Sequence, residues 1–314
     1  MLSYLTRRFL TALISIFLAA VLVFCALLAI PGDPAEIILG INASPQSLAA
    51  LREKLGLNEA PIVRFFSWFT GILRGDFGDS LNYQKPVIEL IAPRLGVSFA
   101  LALGGALIAC LIAIPLGIFA ALRKGTLLDP LIVLASQLGA AIPSFWLGLM
   151  LILLFSVELK WLPAAGFTPW SKDPLGFLRS LILPVSALGL GQAAVMTRMT
   201  RAAMLEVLSQ DYIRTAKAKG LAFGQVVYQH ALRNALVTII TILGLSLSNL
   251  LIGSIVVEQV FSIPGLGRLA LTAIGTRDFP LMQGEVMVYA TAIVLLSFLV
   301  DISYGLLDPR IRYD

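Results

Sequence analysis

Six apolar runs, five of them without a charged residue, dominate this sequence, and each is long enough to cross a bilayer as a helix. Phe9 to Ile30 is free of charge over 22 residues, and Leu95 to Leu122 and Leu131 to Val157 follow, the latter interrupted by Pro143. Ser180 to Thr197 is shorter and holds Pro184 and Gly189; Asn234 to Val257 is the fifth; Val286 to Leu307 is the sixth, broken only by Asp301. A helix needs about 20 apolar residues to span the hydrocarbon core. Lipid also obliges every backbone polar group to be satisfied within the protein. Barrel strands would be about half as long and would alternate in polarity. The expectation is therefore an all-α integral membrane protein with about six spans (9–30, 95–122, 131–157, 180–197, 234–257, 286–307) in a single transmembrane domain, 1–314. Composition points the same way: only 13% of residues are charged, against about 25% in soluble domains.

Orientation follows from Lys and Arg. With a cytoplasmic N-terminus, the inner segments hold twelve of the 23 basic residues but only six of the 18 acids. An inner excess of Lys and Arg is the general rule, so both termini are expected in the cytoplasm. The same rule accounts for the net charge of +5, and no nucleic-acid partner is inferred from it. Arg7 and Arg8 before an apolar run also suit a cleavable signal peptide. The run is longer than an ordinary signal core, however, and Pro31 follows it directly, so a retained helix is expected. Cys25 and Cys110 both fall in apolar spans and read as packing residues rather than a disulfide or metal pair.

Residues 31–94 form a long external segment. Ser44 is a candidate cap ahead of Pro45, and Ser47 to Leu57 has helical spacing. Pro61 to Leu73 is amphipathic and rich in Phe and Trp, which suits a membrane interface. Two or three short helices lying on the outer surface are expected here. The loop 158–179 carries Trp161 and Trp170, and Glu258 to Glu285 carries Pro264-Gly265-Leu266-Gly267 and Arg277-Asp278-Phe279-Pro280.

The longest cytoplasmic connection, 198–233, is the most informative. Glu206 to Lys219 has good helical propensity and stops at Gly220, which can take the left-handed cap conformation without a side-chain clash. Lys217 and Lys219 near that end favour the helix dipole. Ile213, Ala216 and Gly220 share one stripe, and small residues there permit close backbone approach. A solvated basic loop and lipid-headgroup binding each account for the charge; docking of a cytoplasmic partner accounts for the small stripe as well.

The run Asp211-Tyr212-Ile213-Arg214-Thr215-Ala216-Lys217-Ala218-Lys219-Gly220-Leu221 resembles the loop of binding-protein-dependent ATP-binding-cassette importer permeases. Their general motif is Glu-Ala-Ala, three residues, Gly, nine residues, Ile, one residue, Leu-Pro. The corresponding positions hold Arg214-Thr215-Ala216, Gly220, His230 and Leu232-Arg233, so the Glu, first Ala, Ile and Pro are absent. These departures resemble the dipeptide, oligopeptide and nickel branch, as does His230-Ala231-Leu232-Arg233-Asn234-Ala235. Pro31-Gly32-Asp33-Pro34, Leu55-Gly56-Leu57, Gly75-Asp76-Phe77-Gly78-Asp79-Ser80, the run from Val260 to Arg268, Arg277-Asp278-Phe279-Pro280 and Asp308-Pro309-Arg310-Ile311-Arg312 are similar to that branch too, in one order along the chain. The long external segment is similar to the first of two permeases in such systems.

That resemblance implies a permease fold of the methionine-importer type in a bacterial inner membrane. It implies a second homologous permease, two cytoplasmic ATP-binding subunits that hold ATP and magnesium, an external solute-binding protein and the lipid bilayer as partners. No cofactor or catalytic residue is expected in this chain. No Gly-Lys dipeptide occurs, so it lacks the Gly-Lys-[Ser/Thr] of a phosphate-binding loop. Asp211, Tyr212, Arg214, Thr215, Ala216, Ala218 and Gly220 are the expected contacts to the ATPase. Gln192, Ser246, Ser248 and Asn249 are candidates to line a solute path, with interhelical hydrogen bonding as the structural alternative for each. Asp301 is read as an interfacial group rather than a proton relay. Glu258, Arg268, Arg277 and Asp278 are read either as facing the binding protein or as solvated loop charge. Di- or oligopeptide is the expected cargo, with nickel chelate, glutathione or opine as alternatives. The rival class is an ion-coupled secondary transporter, which would need a mid-membrane carboxylate.

Overall fold

A computed structural model describes residues 2–29, 35–36, 44–54 and 56–307. The strings Pro31–Pro34 and Asp308–Arg312, and Leu55, lie outside the described residues. In chain order the helices are α1 (Leu2–Leu28), α2 (Pro45–Lys54), α3 (Pro61–Leu73), α4 (Val87–Leu122), α5 (Leu128–Ala141) and α6 (Ser144–Ile152), which continues as a π-helical turn, Leu153–Glu158. Then come α7 (Pro174–Leu208), α8 (Asp211–Ala218), a π-helical segment Gln225–Leu232 that runs into α9 (Arg233–Val260), α10 (Leu266–Thr276) and α11 (Phe279–Leu307). Among the described residues, five helices are long and apolar enough to cross a membrane: Thr6–Leu28, Val87–Leu122, Pro174–Leu208, Gln225–Val260 and Phe279–Ser303. At about 1.5 Å per residue, the longest of these measure ~54 Å, well beyond a hydrocarbon core of about 30 Å. Their polar ends therefore continue into water, which is why the helices outrun the apolar stretches that mark them in sequence.

The third apolar run is not one rod. It makes a broken pair, α5 and α6 with its π turn, bent by 91°. The break has a local cause. Pro143 has no N–H to donate and its ring crowds the residue before it. Ile142 accordingly leaves the helical region for φ −81°, ψ 121°. Pro184, by contrast, sits inside α7 without ending it.

The chain divides into two compact units. One comprises Val97–Gly267 with the chain from Leu296 onward. Its core joins Ala109, Ala113, Ile118 and Ala121 of α4 to Ala193, Met196, Ala203 and Met204 of α7, to Ile213 and Ala216, to Val226, Val227 and Ala231, and to Ala235, Ile239 and Ile242 of α9. In lipid, helices associate through close packing of small residues rather than through hydrophobic expulsion. The α4–α7 crossing shows this directly. A Cβ on Gly189 would lie 2.7 Å from Cβ of Ile108 and 2.9 Å from the Gly105 carbonyl, and one on Gly117 would lie 2.6 Å from Cβ of Thr200. Outward-facing leucines such as Leu103, Leu107 and Leu111 of α4 remain exposed, as lipid contact permits.

The other unit comprises Leu2–Gly96 and Arg268–Leu295. Ser44 caps α2, its Oγ accepting the Ser47 N–H at 3.1 Å ahead of Pro45 in the first turn. The aromatics of α3 turn onto α1: Phe65 is buried and meets Phe17 and Phe24 edge-on, at 5.9 and 5.4 Å between ring centres. Met287 of α11 completes that cluster. Part of α3's apolar surface, including Ile62, Val63, Phe66 and Leu73, is left facing outward.

Two acids read from sequence as facing a binding protein or water are instead buried. Asp278 is 1% exposed and accepts the Ser80 hydroxyl at 2.5 Å, the Asn82 N–H at 3.0 Å and the Leu281 N–H at 3.2 Å. Glu258 is fully buried and accepts the hydroxyls of Ser98 at 2.6 Å and Ser254 at 3.1 Å. Ser98 Oγ in turn accepts the Leu266 N–H at 2.9 Å. Gly265 is required beside this group, because a Cβ there would collide with the Glu258 carboxylate. Glu258 thus ties α9 to α4 beside the start of α10, and Asp278 fastens the chain at Ser80 and Asn82 to the start of α11, each within its own unit.

Two outcomes follow for stability. Gly189→Leu forces the α4–α7 crossing apart and should cost about 2 kcal/mol or more, whereas Gly191→Ala, with open space around it, should stay within about 0.5 kcal/mol. Asp278→Ala strands the Ser80 hydroxyl and the Asn82 N–H and should cost about 2 kcal/mol. Thermal unfolding of the detergent-purified variants measures all three.

Candidate functional site

The segment after α7 builds a small projecting helix. α7 ends at Leu208, Ser209 and Gln210 turn the chain, and α8 begins at Asp211, whose acidic side chain lies in the first turn as the dipole prefers. Thr215 Oγ bonds back to the Asp211 carbonyl at 3.0 Å, and Arg214 pairs with Asp211 at 3.2 Å, both in solvent. An exposed pair of that kind adds little stability. The helix therefore depends on its packing.

That packing is one-sided. Ile213 is fully buried and Ala216 is 6% exposed, both in the α4–α7–α9 cluster. The stripe expected to approach a partner is thus split: Ala216 seats α8 on its own chain, where a small side chain lets the helix lie close. Tyr212, Arg214, Thr215, Lys217 and Ala218 are exposed. Gly220 stands at φ +77°. Its N–H donates to the Lys217 carbonyl at 3.0 Å and the Leu221 N–H donates to the Ala216 carbonyl at 3.4 Å. These two bonds are the Schellman ending of a helix, which places a left-handed residue at Gly220. The stop comes one residue earlier than the Lys219 expected from sequence, and the start five residues later than Glu206, because α7 carries the chain to Leu208 first.

Beyond Gly220 the exposed surface continues through Leu221, Phe223 and Tyr228; Phe223 is 67% and Tyr228 62% exposed. Sequence reading passed over these aromatics. The signal available was their position within a polar connection, where large apolar groups have no reason to sit in water unless something covers them. Val226, Val227 and Ala231 of the π-helical segment face inward and form part of the shelf under α8. The result is a short rigid knob, tied to α4, α7 and α9 on one side and open on the other.

The four candidate path residues separate into two kinds. Gln192 of α7 donates to Ser246 Oγ of α9 at 2.6 Å, and Ser246 donates to the Ile242 carbonyl at 2.7 Å while only 2% exposed. That is an interhelical tie. Ser248 is half-buried and Asn249 exposed. Asp301 is half-buried near the end of α11. Cys25 and Cys110 are free thiols. Among the described residues no group of three or more His, Cys, Asp or Glu is placed to hold a metal ion.

Comparison with known proteins fits this architecture. Residues 113–313 match the family described as binding-protein-dependent transport system inner membrane component, and residues 1–102 match the N-terminal region of such membrane components. A protein named as a peptide transport system permease in Brucella abortus (strain 2308) is 42% identical over 308 residues, 98% of each chain. The glutathione transport system permease GsiC of Salmonella typhimurium is 40% identical over the whole of both chains, and the dipeptide transport system permease DppB of Alkalihalophilus pseudofirmus is also 40% identical over the whole of both. Among solved structures, an inward-facing MetNI methionine ABC transporter superposes with a TM-score of 0.59 at 19% identity, covering 70% of this chain and 97% of that one. The chain belongs to the binding-protein-dependent transport inner membrane component family, as a multi-pass inner-membrane permease subunit of an ATP-binding-cassette importer.

Proposed function

We propose that this chain is the first of two paired permeases in an importer of di- or oligopeptides, fed by an external binding protein and driven by two separate ATPase subunits. The observation that carries the coupling part of this reading is the two-faced seating of α8. Its inner face is locked into a cluster shared by α4, α7 and α9. Its outer face offers Asp211, Tyr212, Arg214, Thr215 and Ala218, with Gly220 setting the exit of the chain. Ala216 supports the contact from beneath. A groove on an ATPase that grips the outer face would, on closing around ATP, displace the membrane helices with it.

The chain itself has no Gly-Lys dipeptide for a phosphate-binding loop, so ATP and magnesium belong to the partners. The distribution of Lys and Arg supports a cytoplasmic side for both termini and 198–233, with 31–94 outside. Solute would pass between this permease and its pair, beside Ser248 and Asn249, with Gln192 and Ser246 fastening α7 to α9 behind them. Peptide cargo is supported by the names of the full-length relatives. A glutathione importer is the second reading, favoured by the relative from Salmonella typhimurium; a ligand-binding assay on the cognate binding protein separates the two.

In proteoliposomes holding the whole complex, uptake should require ATP and stop with vanadate. Uptake by this chain alone on a proton or sodium gradient would overturn the proposal. At Gly220, Asn tolerates the left-handed backbone while bulkier residues are strained there by about 1–2 kcal/mol. Gly220→Asn should keep most of the uptake. Gly220→Trp should insert normally yet transport nothing, and normal uptake by that variant removes the coupling role of α8.

A further inference from the structure

The first turn of α5 carries Asp129, which is only 6% exposed. Arg201 of α7 grips both carboxylate oxygens: Nε donates to Oδ1 at 2.5 Å and Nη2 to Oδ2 at 2.7 Å. Two parallel bonds of this kind make a strong, directional link between guanidinium and carboxylate, and a lysine cannot reproduce the fork. The Asp129 side chain is 9% exposed and that of Arg201 24%. Salt screens such a pair far less than one on an open surface.

Its position gives the fork a use. Arg201 lies two turns before the end of α7, and α8 begins three residues after that end. The cluster that seats α8 draws its buried members from α4, α7, α8, the π-helical segment and α9. α5 packs along α7, so closely at Gly139 that a Cβ there would lie 3.2 Å from that of Ala194, and the fork at Asp129 ties its first turn to that helix. Leu131, Leu134 and Leu138 on its other side stay exposed. Past Ala141 the chain turns by 91° into α6. α5 is therefore the inner leg of a broken span, pinned at its start to the helix that leads into α8.

We propose that Asp129 and Arg201 form a transmission clamp, a positioning pair that makes this broken span follow α7 whenever α8 is displaced. The clamp keeps solute passage in step with ATP turnover, and the inference rests on the coupling role proposed above for α8. Without the fork, α8 and α7 still move together through their shared cluster and α5 still lies along α7, but its first turn is no longer held in register with the part of α7 that leads into α8. ATP is then consumed with less solute moved.

The test reads solute taken up per ATP hydrolysed in proteoliposomes holding the complete transporter. Arg201→Lys and Asp129→Asn should still co-purify with the ATPase subunits and hydrolyse ATP, while uptake per ATP falls by about tenfold. The double exchange Asp129→Arg with Arg201→Asp should recover most of that ratio. A merely structural role lowers uptake and hydrolysis together and leaves the ratio at the wild-type value, and that result would overturn the clamp. Gly220→Trp in the same assay distinguishes the two proposals. If Gly220→Trp is defective while the clamp variants keep the wild-type ratio, the clamp alone fails. If Gly220→Trp itself transports normally, the coupling role of α8 fails and takes the clamp with it.

Discussion

The burial of Ile213 and Ala216 is the contact on which the seating of α8 depends. A helix of eight residues is too short to hold its own shape in water, and the exposed pair between Asp211 and Arg214 contributes little to it. What holds α8 is a greasy socket lined by residues that range along the chain from Ala109 of α4 to Ile242 of α9. Because the socket is shared, α8 cannot be moved without loading several long helices at once. A projecting element that was merely tethered by flexible chain would yield under the same load and pass nothing on.

The rest of the helix packing is equally close. Glycines at the α4–α7 crossing bring two backbones so close that neither has room for a methyl group, and contacts of that kind resist shear. Polar ties such as Gln192 to Ser246 join neighbouring helices at a partly buried position. Buried carboxylates at Glu258, which joins α9 to α4, and Asp278, which holds the chain at Ser80, take internal partners rather than presenting charge outward.

Much of this was legible from the chain alone, and the limits have a physical pattern. Uninterrupted apolar runs reveal spans because lipid leaves the backbone few alternatives, and Gly220 reveals its cap because few other residues take a left-handed conformation cheaply. Pro143 marks a break but not its angle, which depends on what each leg packs against. The partners of Glu258 and Asp278 lie 160 and 198 residues away in the chain, so nothing in their neighbourhood distinguishes them from solvated charges. Asp129 and Arg201 are 72 residues apart and register in sequence only as two members of the inner charge balance. Ala216 shows the subtler failure: periodicity identifies a face of small residues, yet cannot say whether that face meets another protein or the helix's own neighbours.

The π-helical stretch from Gln225 to Leu232 has a consequence for phase. Each turn bonded from residue i to i+5 takes up more chain than an α-turn, so the azimuth of everything downstream is reset. Ala231, Ala235, Ile239, Ile242 and Ser246 point inward on a common line only because that offset has already been absorbed before α9 begins. Removing one residue from the stretch would rotate α9 by about 100° about its axis, turning Ser246 away from Gln192 and presenting leucine where the polar tie now stands.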